Sequence, residues 1–414
     1  MKLQQLRKKY PRFVFEKYSY RISGNNLEVF FDFKIEPDIS FQPKIIIKNI
    51  QGKVNNLENL IFHLGLMEIP TYWKATCSPE IIIRAGFLNR EQISWWKSLI
   101  IKGMGQFFFE NKIDWRSKNF LKIRCESNNK YKVFNGKLKN RYLVPFSGGR
   151  DSIVTIELLK KKSKTALFLV NPNEQIKKSA KVTKIKKQII VQRVIDKKLL
   201  ALNKKGCLNG HTPFTALLSF LSVFCAVLFD YKNVVFSNEK SANEGNVKYL
   251  GRIINHQWAK SSEFEIIFKK YCKKYLARNI NYSSFLRKYT ELEISKKLIN
   301  FPQYFPVFSS CNSSMRMGAK QVRWCGNCPK CLFVYLTLYP FLNKKQLLLI
   351  FRKDIFQNKK LLPVMKALMG QGKAKPFECV GTRKESLDAL KLSLEKKEKN
   401  KAPYLLTKVK KMVY

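Results

Sequence analysis

The sequence predicts an α/β protein: a mainly parallel sheet with helices on both faces, preceded by an α+β region and followed by a helical one. Three observations carry that reading. From Arg141 onward, short apolar runs alternate with helical patterns, as successive βαβ units do. One run, Tyr142 to Phe146, opens straight into Ser147-Gly148-Gly149-Arg150-Asp151-Ser152 and a helical stretch from Ile153 to Leu159. That strand–turn–helix order suits the gripping of an anion. The chain has 414 residues and is 45% hydrophobic, enough for a full core in roughly two or three domains.

Residues 1–138 are expected to form an α+β N-terminal domain. Phe13 to Phe15, Leu27 to Phe33 and Lys44 to Ile50 are β-like, Leu57 to Glu68 is amphipathic, and Gln92 to Glu110 is helical. The polar stretch Glu126 to Asn140 reads as a linker or hairpin. Residues 139–342 are expected to hold the sheet: Tyr142 to Phe146 and its helix, strands at Ala166 to Val170 and Gln188 to Val194, a helix opened by Thr212-Pro213, and a strand from Asn233 to Ser237. The apolar stretch Ala216 to Phe229 is too short for an ordinary membrane span and reads as a buried helix. Residues 343–414 form a helical, lysine-rich extension whose expected role is packing.

Composition bounds the function. Lys and Arg number 79 against 29 Asp and Glu, a net charge of +50, which a nucleic-acid binder would show. Yet the lysines are scattered, with no stripe or basic arm, so a lysine-biased proteome explains them as well as a polyanionic partner does. Met1 to Pro11 is basic without an apolar core, so it is not read as a secretory signal. The expectation is a soluble, cytoplasmic protein with no membrane insertion and no required nucleic acid. Oligomeric state is not legible.

In the turn after Phe146, two glycines let the backbone approach an anion, and the following helix N-terminus favours negative charge. The whole string resembles the SGGxDS loop of the ATP pyrophosphatase (PP-loop) superfamily and lacks the Gly-Lys-Ser/Thr ending of a Walker A loop. That resemblance implies a PP-loop fold of the adenine nucleotide α-hydrolase type. It also implies ATP with Mg²⁺, held by Ser147, Gly148, Gly149, Arg150, Asp151 and Ser152.

Cys311, Cys325, Cys328 and Cys331 give the spacing C-x13-C-x2-C-x2-C. Tight C-x2-C turns bring two thiolates to one ion, and four thiolates close a tetrahedral zinc site. An iron–sulfur cluster is the second reading, and buried free thiols the third. A PP-loop followed by such an array resembles 7-cyano-7-deazaguanine synthase, in which the cysteines hold structural zinc, although the long N-terminal domain has no counterpart there.

Ligands of such sheets sit at the carboxyl ends of the strands. There Ser237 to Asn246 offers Asn238, Glu239, Glu244 and Asn246, and Asn255-His256-Gln257-Trp258 follows. Glu239, Glu244 and His256 are the candidate acid/base residues; a solvated loop is the plainer alternative. His211, just before a helix, suits either a substrate anion or a capping turn. His63 is expected to be structural.

Taken together, these strings resemble the ATP-dependent UDP-N-acetylmuramoyl-L-alanyl-L-glutamate epimerases, MurL type, of peptidoglycan precursor synthesis. The likeness runs from His63-Leu64-Gly65 and Tyr72-Trp73-Lys74 through the turn and the cysteines to Lys375-Pro376-Phe377-Glu378-Cys379-Val380-Gly381. It departs at Arg150, where lysine is expected and the charge is kept. The resemblance implies conversion of the terminal L-Glu of UDP-MurNAc-L-Ala-L-Glu to D-Glu, with ATP consumed to AMP and pyrophosphate. His211, Asn238, Asn246 and Lys74 are the expected substrate contacts, and Cys311 an alternative acid/base thiol. A PP-loop enzyme of RNA modification, a 7-deazaguanine-type or amide-forming relative and a non-catalytic nucleic-acid-binding module are the competing readings.

Overall fold

The computed structural model describes residues 3–50, 56–315, 323–372, 374–396 and 402–412. In chain order its strands are β1 (Arg12–Ser23), β2 (Asn26–Ile35), β3 (Ile39–Phe41), β4 (Lys44–Ile47), β5 (Glu80–Ile83), β6 (Lys122–Cys125), β7 (Tyr142–Pro145), β8 (Thr165–Val170), β9 (Gln188–Val194), β10 (Asn233–Phe236), β11 (Val247–Tyr249), β12 (Arg252–Ile254) and β13 (Asn281–Ser284). Local sequence explains the longer ones. In β2 every second residue, Leu27, Val29, Phe31, Phe33 and Ile35, is apolar and buried, the period-2 pattern of a strand with one face on a core. Gly24-Asn25 turns β1 back onto β2, with Gly24 at φ +56 and Ser23 opposite Asn26, a two-residue hairpin that needs positive φ.

Eleven strands form one sheet in the order β13-β10-β7-β8-β9-β4-β2-β1-β5-β6, with β3 beside β2. From β13 to β9 every pairing is parallel. The join to the N-terminal strands is the antiparallel pair β4–β9, from Lys44 opposite Val194 to Ile47 opposite Val191. The expected boundary at 138/139 therefore lies within one continuous sheet.

Alternate residues of the central strands feed two cores. Leu143, Ala166, Phe168, Val234 and Phe236 face one; Val144, Leu167, Leu169 and Val235 face the other. Helices Glu58–Trp73 and Phe214–Leu228 fill the first, and helices Arg150–Leu159 and Pro329–Leu338 the second, so both faces are covered as expected. The stretch read as amphipathic from Leu57 differs. Fifteen of the sixteen residues of helix Glu58–Trp73 are buried, because it lies against both β1 and helix Phe214–Leu228 and has no solvent face to keep polar. Segment 126–140 is neither a hairpin nor a free linker: Phe134 forms a lone bridge with Ala277.

The extension contains helices Lys344–Phe351, Leu362–Leu368, Arg383–Glu395 and Tyr404–Val409; residues 373, 397–401 and 413–414 lie outside the described residues. No helix among the described residues is long and apolar enough to cross a membrane. The chain leaves β7 toward β8 on one side, and β10 returns on the other. The carboxyl ends of β7 and β10 thus flank a topological switch point, where open α/β sheets bind ligands.

Candidate active site

Backbone shape makes the turn after β7. Gly148 turns at φ +69 and Gly149 is the N-cap of helix Arg150–Leu159. Only glycine takes such a φ without strain. A Cβ on Gly149 would stand 3.0 Å from Ser310 Oγ and 3.3 Å from the Ser309 carbonyl oxygen, because segment 309–310 lies against the turn. There the Arg150 amide donates to Ser310 Oγ (3.1 Å) and the Ser309 amide to the Gly148 carbonyl (3.1 Å). Glycine brings no side chain to cap the helix, so the helix N-terminus is suited to an incoming anion. The hydroxyls of Ser147 and Ser152 lie 3.5 Å apart beside it, and Ser152 donates to the Gly149 carbonyl (3.0 Å).

Arg150 goes into the core instead of toward the turn. Its buried guanidinium donates to Asp151 Oδ1 (2.8 Å), to Glu291, to Ser295 Oγ (3.2 Å) and to Thr337 Oγ1 (3.5 Å). A rigid fork of donors serves four partners as a lysine ammonium does not. Burial pushes the Asp151 carboxyl up, but Arg150, Lys330 and Lys260 outweigh it and hold the group below the usual range. Asp151 is an anion beside the turn, chemically fit for a divalent cation.

Glu239 follows β10. It is buried, next to Asn238, whose amide donates to Ser284 Oγ at the end of β13 (3.0 Å). Burial is the largest influence on its carboxyl; Asp151 and Glu291 add to it, Lys260 and Lys330 oppose it, and the pKa is pushed up to about 7. A group balanced there can give or take a proton near neutrality.

His256 Nδ1 lies 2.9 Å from Asn246 Oδ1, which also accepts the His256 backbone N–H at 3.0 Å. That amide oxygen only accepts, so Nδ1 carries the proton and Nε2 presents a lone pair. Burial, then Lys260, Lys375 and Lys330, push the imidazole down to about 3, and it stays neutral. Across from it, Lys74 Nζ donates to Asn209 Oδ1 (2.8 Å) and the Gly210 carbonyl (2.9 Å), fixing the turn that carries His211. The His211 ring lies 6.1 Å from that of His256, and its Nδ1 is buried without a hydrogen-bond partner. A buried orphan of this kind is a place for a ligand atom. Burial, His256 and Lys74 push His211 down to about 3, and burial with Arg193 pushes Lys74 down to about 8.

The C-terminal extension does more than pack. Residues 375–383 cross the loop that carries Glu244 and Asn246. Glu244 accepts from Lys375 Nζ (3.0 Å) and the Arg383 amide (3.2 Å), and Asn246 donates to the Pro376 carbonyl (2.8 Å). Glu244 is thereby an anchor of this strap. Lys260 Nζ reaches Cys379 Sγ at 3.2 Å, and Lys330 Nζ donates to the Cys379 carbonyl.

The sulfur atoms of Cys311, Cys325, Cys328 and Cys331 all lie within 4.8 Å of one another. Three separations are 3.5 Å (Cys328–Cys331), 3.7 Å (Cys325–Cys331) and 3.9 Å (Cys311–Cys328). A tetrahedron with metal–sulfur bonds of about 2.3 Å has edges of about 3.8 Å, so the set fits a metal ion. Cys311 is wholly buried and belongs to this set, which speaks for a ligand and against an acid/base thiol. His63 is elsewhere, between the Asn59 carbonyl (2.7 Å) and the Tyr271 hydroxyl (3.0 Å), structural as expected.

Sequence reasoning did not single out Lys260, Lys330, Lys375 or Cys379. Lys330 was hidden inside the cysteine array, and Cys379 lay in a lysine-rich segment read as packing. Its one signal was a cysteine outside the array within the string Lys375 to Gly381.

Comparison with known families divides the chain into two matched regions, at bounds other than the expected 138/139 and 342/343. Residues 4–285 match the MurL N-terminal domain and residues 307–413 the MurL C-terminal domain. Similar proteins include three named UDP-N-acetyl-alpha-D-muramoyl-L-alanyl-L-glutamate epimerase. One, from Salinispora tropica, is 31% identical over 97% of this chain and 88% of its own length. That from Xanthomonas oryzae pv. oryzae is 33% identical over 79% of this chain and 72% of its own. That from a Micromonospora species is 32% identical over 80% and 74%.

Proposed function

The chain belongs to the MurL family, and from that premise we propose that it is an ATP-dependent epimerase converting the terminal L-Glu of UDP-MurNAc-L-Ala-L-Glu to D-Glu. As an isomerase of peptidoglycan precursors it would work on a cytoplasmic small molecule. The observation that carries the reading is a convergence at the β7/β10 switch point: an anion-gripping turn beside a buried carboxyl, Glu239, balanced near neutrality.

The chemistry requires both. Removing an α-proton beside a carboxylate would place a second negative charge on an anion, whereas an acyl adenylate has lost the first and can spread the new one into its carbonyl as an enolate. Ser147, Gly148, Gly149 and Ser152 would hold the ATP phosphates, as in a PP-loop, and Asp151, fixed by Arg150, would face Mg²⁺. Lys260 and Lys330 supply positive charge to the same region. Glu239 exchanges the proton. His256, held neutral, and His211, with its unpartnered nitrogen, line the substrate end with Asn238 and Asn246, while Lys74 fixes the His211 turn. Zinc in the four-cysteine set would fasten helix Pro329–Leu338, and with it Lys330, to the segment following Ser310. We assign activation to residues 139–342, a supporting role to 1–138, and completion of the pocket to 343–414.

The test is turnover with ATP and the L-glutamyl substrate, followed by pyrophosphate release and chiral analysis of the glutamate. D-glutamate formed with stoichiometric AMP is the expected result. Pyrophosphate release stimulated by RNA and not by the muramoyl dipeptide would overturn the reading.

A further inference from the structure

The strap carries a cysteine that the four-cysteine set does not use. Cys379 is half-buried, and its sulfur lies between two polar groups: Lys260 Nζ at 3.2 Å and His256 Nε2 at 3.9 Å. Because the His256 proton is on Nδ1, held by Asn246, the face turned to the sulfur is a lone pair. The backbone here is closely fixed. Lys330 Nζ donates to the Cys379 carbonyl, Glu378 accepts the Lys330 amide (2.9 Å), and a Cβ on Gly381 would stand 2.6 Å from Phe333. Cys77, Cys225 and Cys272, by contrast, are wholly enclosed in the hydrophobic core, as inert core cysteines are. A half-buried sulfur facing an ammonium and an imidazole is the arrangement of a proton-transferring thiol.

Lys260 links this sulfur to the carboxyl already assigned. Burial works against its charge, but Cys379, Glu239 and Asp151 outweigh burial and keep it protonated. One ammonium therefore serves both a thiol and a carboxyl, on separate segments of chain. Epimerisation needs two such groups, because one face of the α-carbon loses a proton and the other gains one.

We propose that Cys379 is the second acid/base residue at the glutamyl α-carbon, acting opposite Glu239. The inference rests on the epimerase reading above. In one direction the Cys379 thiolate, with Lys260 as counter-charge, forms an S–H bond as the Cα–H bond breaks. The bonding pair moves into the activated acyl group as an enolate. The Glu239 carboxylic acid then gives its proton to the opposite face, the enolate pair forms the new Cα–H bond, and a carboxylate remains. The reverse direction runs the same transfers backward, and exchange with solvent resets both groups.

The test is solvent deuterium incorporation at the α-carbon, measured separately from the L- and D-glutamyl substrates with ATP. Wild type exchanges both. Cys379→Ala and Cys379→Ser should lose interconversion by about 100-fold or more and keep exchange from one enantiomer only, while AMP still forms. Glu239→Gln should keep exchange from the other enantiomer only. A purely structural role for Cys379 would not produce this mirrored pattern. Cys379 variants that exchange both enantiomers, exchange neither, or retain the same one as Glu239→Gln would overturn the assignment. A wild-type enzyme that neither makes AMP nor exchanges the α-proton would instead sink the epimerase reading itself.

Discussion

The turn after β7 and the acid/base cluster meet at the same sheet edge, yet they are made in opposite ways. The turn is six consecutive residues whose function lies in backbone geometry: the φ of Gly148, the close approach of Ser310 to Gly149, and a helix start whose N-cap glycine has no side chain. The cluster has no such local unit. Glu239 comes from the end of β10, His256 and Lys260 from beyond β12, Lys330 from the first turn of a helix, and Cys379 from the strap. Its properties are side-chain properties, set by burial and by neighbours from distant parts of the chain. A backbone site tolerates little change in shape, and a side-chain site little change in charge.

The sharpest way to break this contrast is to damage the turn by shape alone. Gly149→Val drives a branched side chain into Ser310 and should lower AMP formation and epimerisation together by about 1,000-fold or more, with circular dichroism unchanged. Asp151→Asn, a change of charge in the turn, should cost about 100-fold or more in AMP release. Normal turnover in a folded Gly149→Val protein would show that the turn does not hold the nucleotide.

Charge change in the cluster should uncouple what shape change in the turn loses together. Glu239→Gln is expected to reduce interconversion by about 100-fold to 10,000-fold, while futile AMP formation stays within about tenfold. His256→Asn and Glu244→Gln, tested alongside, should have smaller effects, since the first group orients and the second anchors. If all three keep wild-type interconversion, the cluster is not where the proton moves.

A pH profile reads the same point more gently. The Glu239 carboxyl is pushed up to about 7, so its base form fills above that pH and its acid form below. Exchange from the enantiomer that Glu239 deprotonates should rise with pH up to a midpoint near 7, about tenfold per unit on the acid side. Glu239→Gln should abolish that limb. His256, held down to about 3, should contribute no limb between pH 5 and 8.

The smallest chemical effect belongs to the cysteines. About one zinc per chain is expected, and Cys328→Ser should lower the melting temperature and metal content while changing the rate of the remaining folded enzyme by less than about threefold. Fully stable, metal-free protein would remove the ion from the account.

The same contrast explains what the sequence revealed. The turn, the cysteine spacing and the strands from Tyr142 to Asn233 were legible because each is specified by neighbours in the chain. Glu239 and His256 were named only as members of polar stretches. Nothing in the sequence marked Glu239 as buried, or joined Lys260 to Cys379, since burial and pairing come from segments brought together by the fold. The buried helix Glu58–Trp73 was misread as amphipathic for a related reason: Asn59, His63 and Glu68 look like a polar face, yet each is buried. Asn59 donates to the Tyr275 carbonyl (2.7 Å), His63 meets the Tyr271 hydroxyl, and Glu68 takes a two-pronged hydrogen bond from Arg193 (2.6 Å each). Arg150 was counted among the phosphate contacts because it lies in the string that resembles a PP-loop; its partners Glu291, Ser295 and Thr337 lie far along the chain.

The antiparallel pair β4–β9 has a mechanical meaning. A slip of one residue between Lys44–Ile47 and Val191–Val194 would turn every inward side chain outward, so the two halves of the sheet resist shear and act as one stiff plate. Segments fastened to that plate by side chains have no such register to lock them. Besides one backbone bond, from the Lys375 amide to the Asn246 carbonyl (3.0 Å), the strap of residues 375–383 is held beside the catalytic region by side chains: Lys375 to Glu244, Asn246 to Pro376 and Lys260 to Cys379.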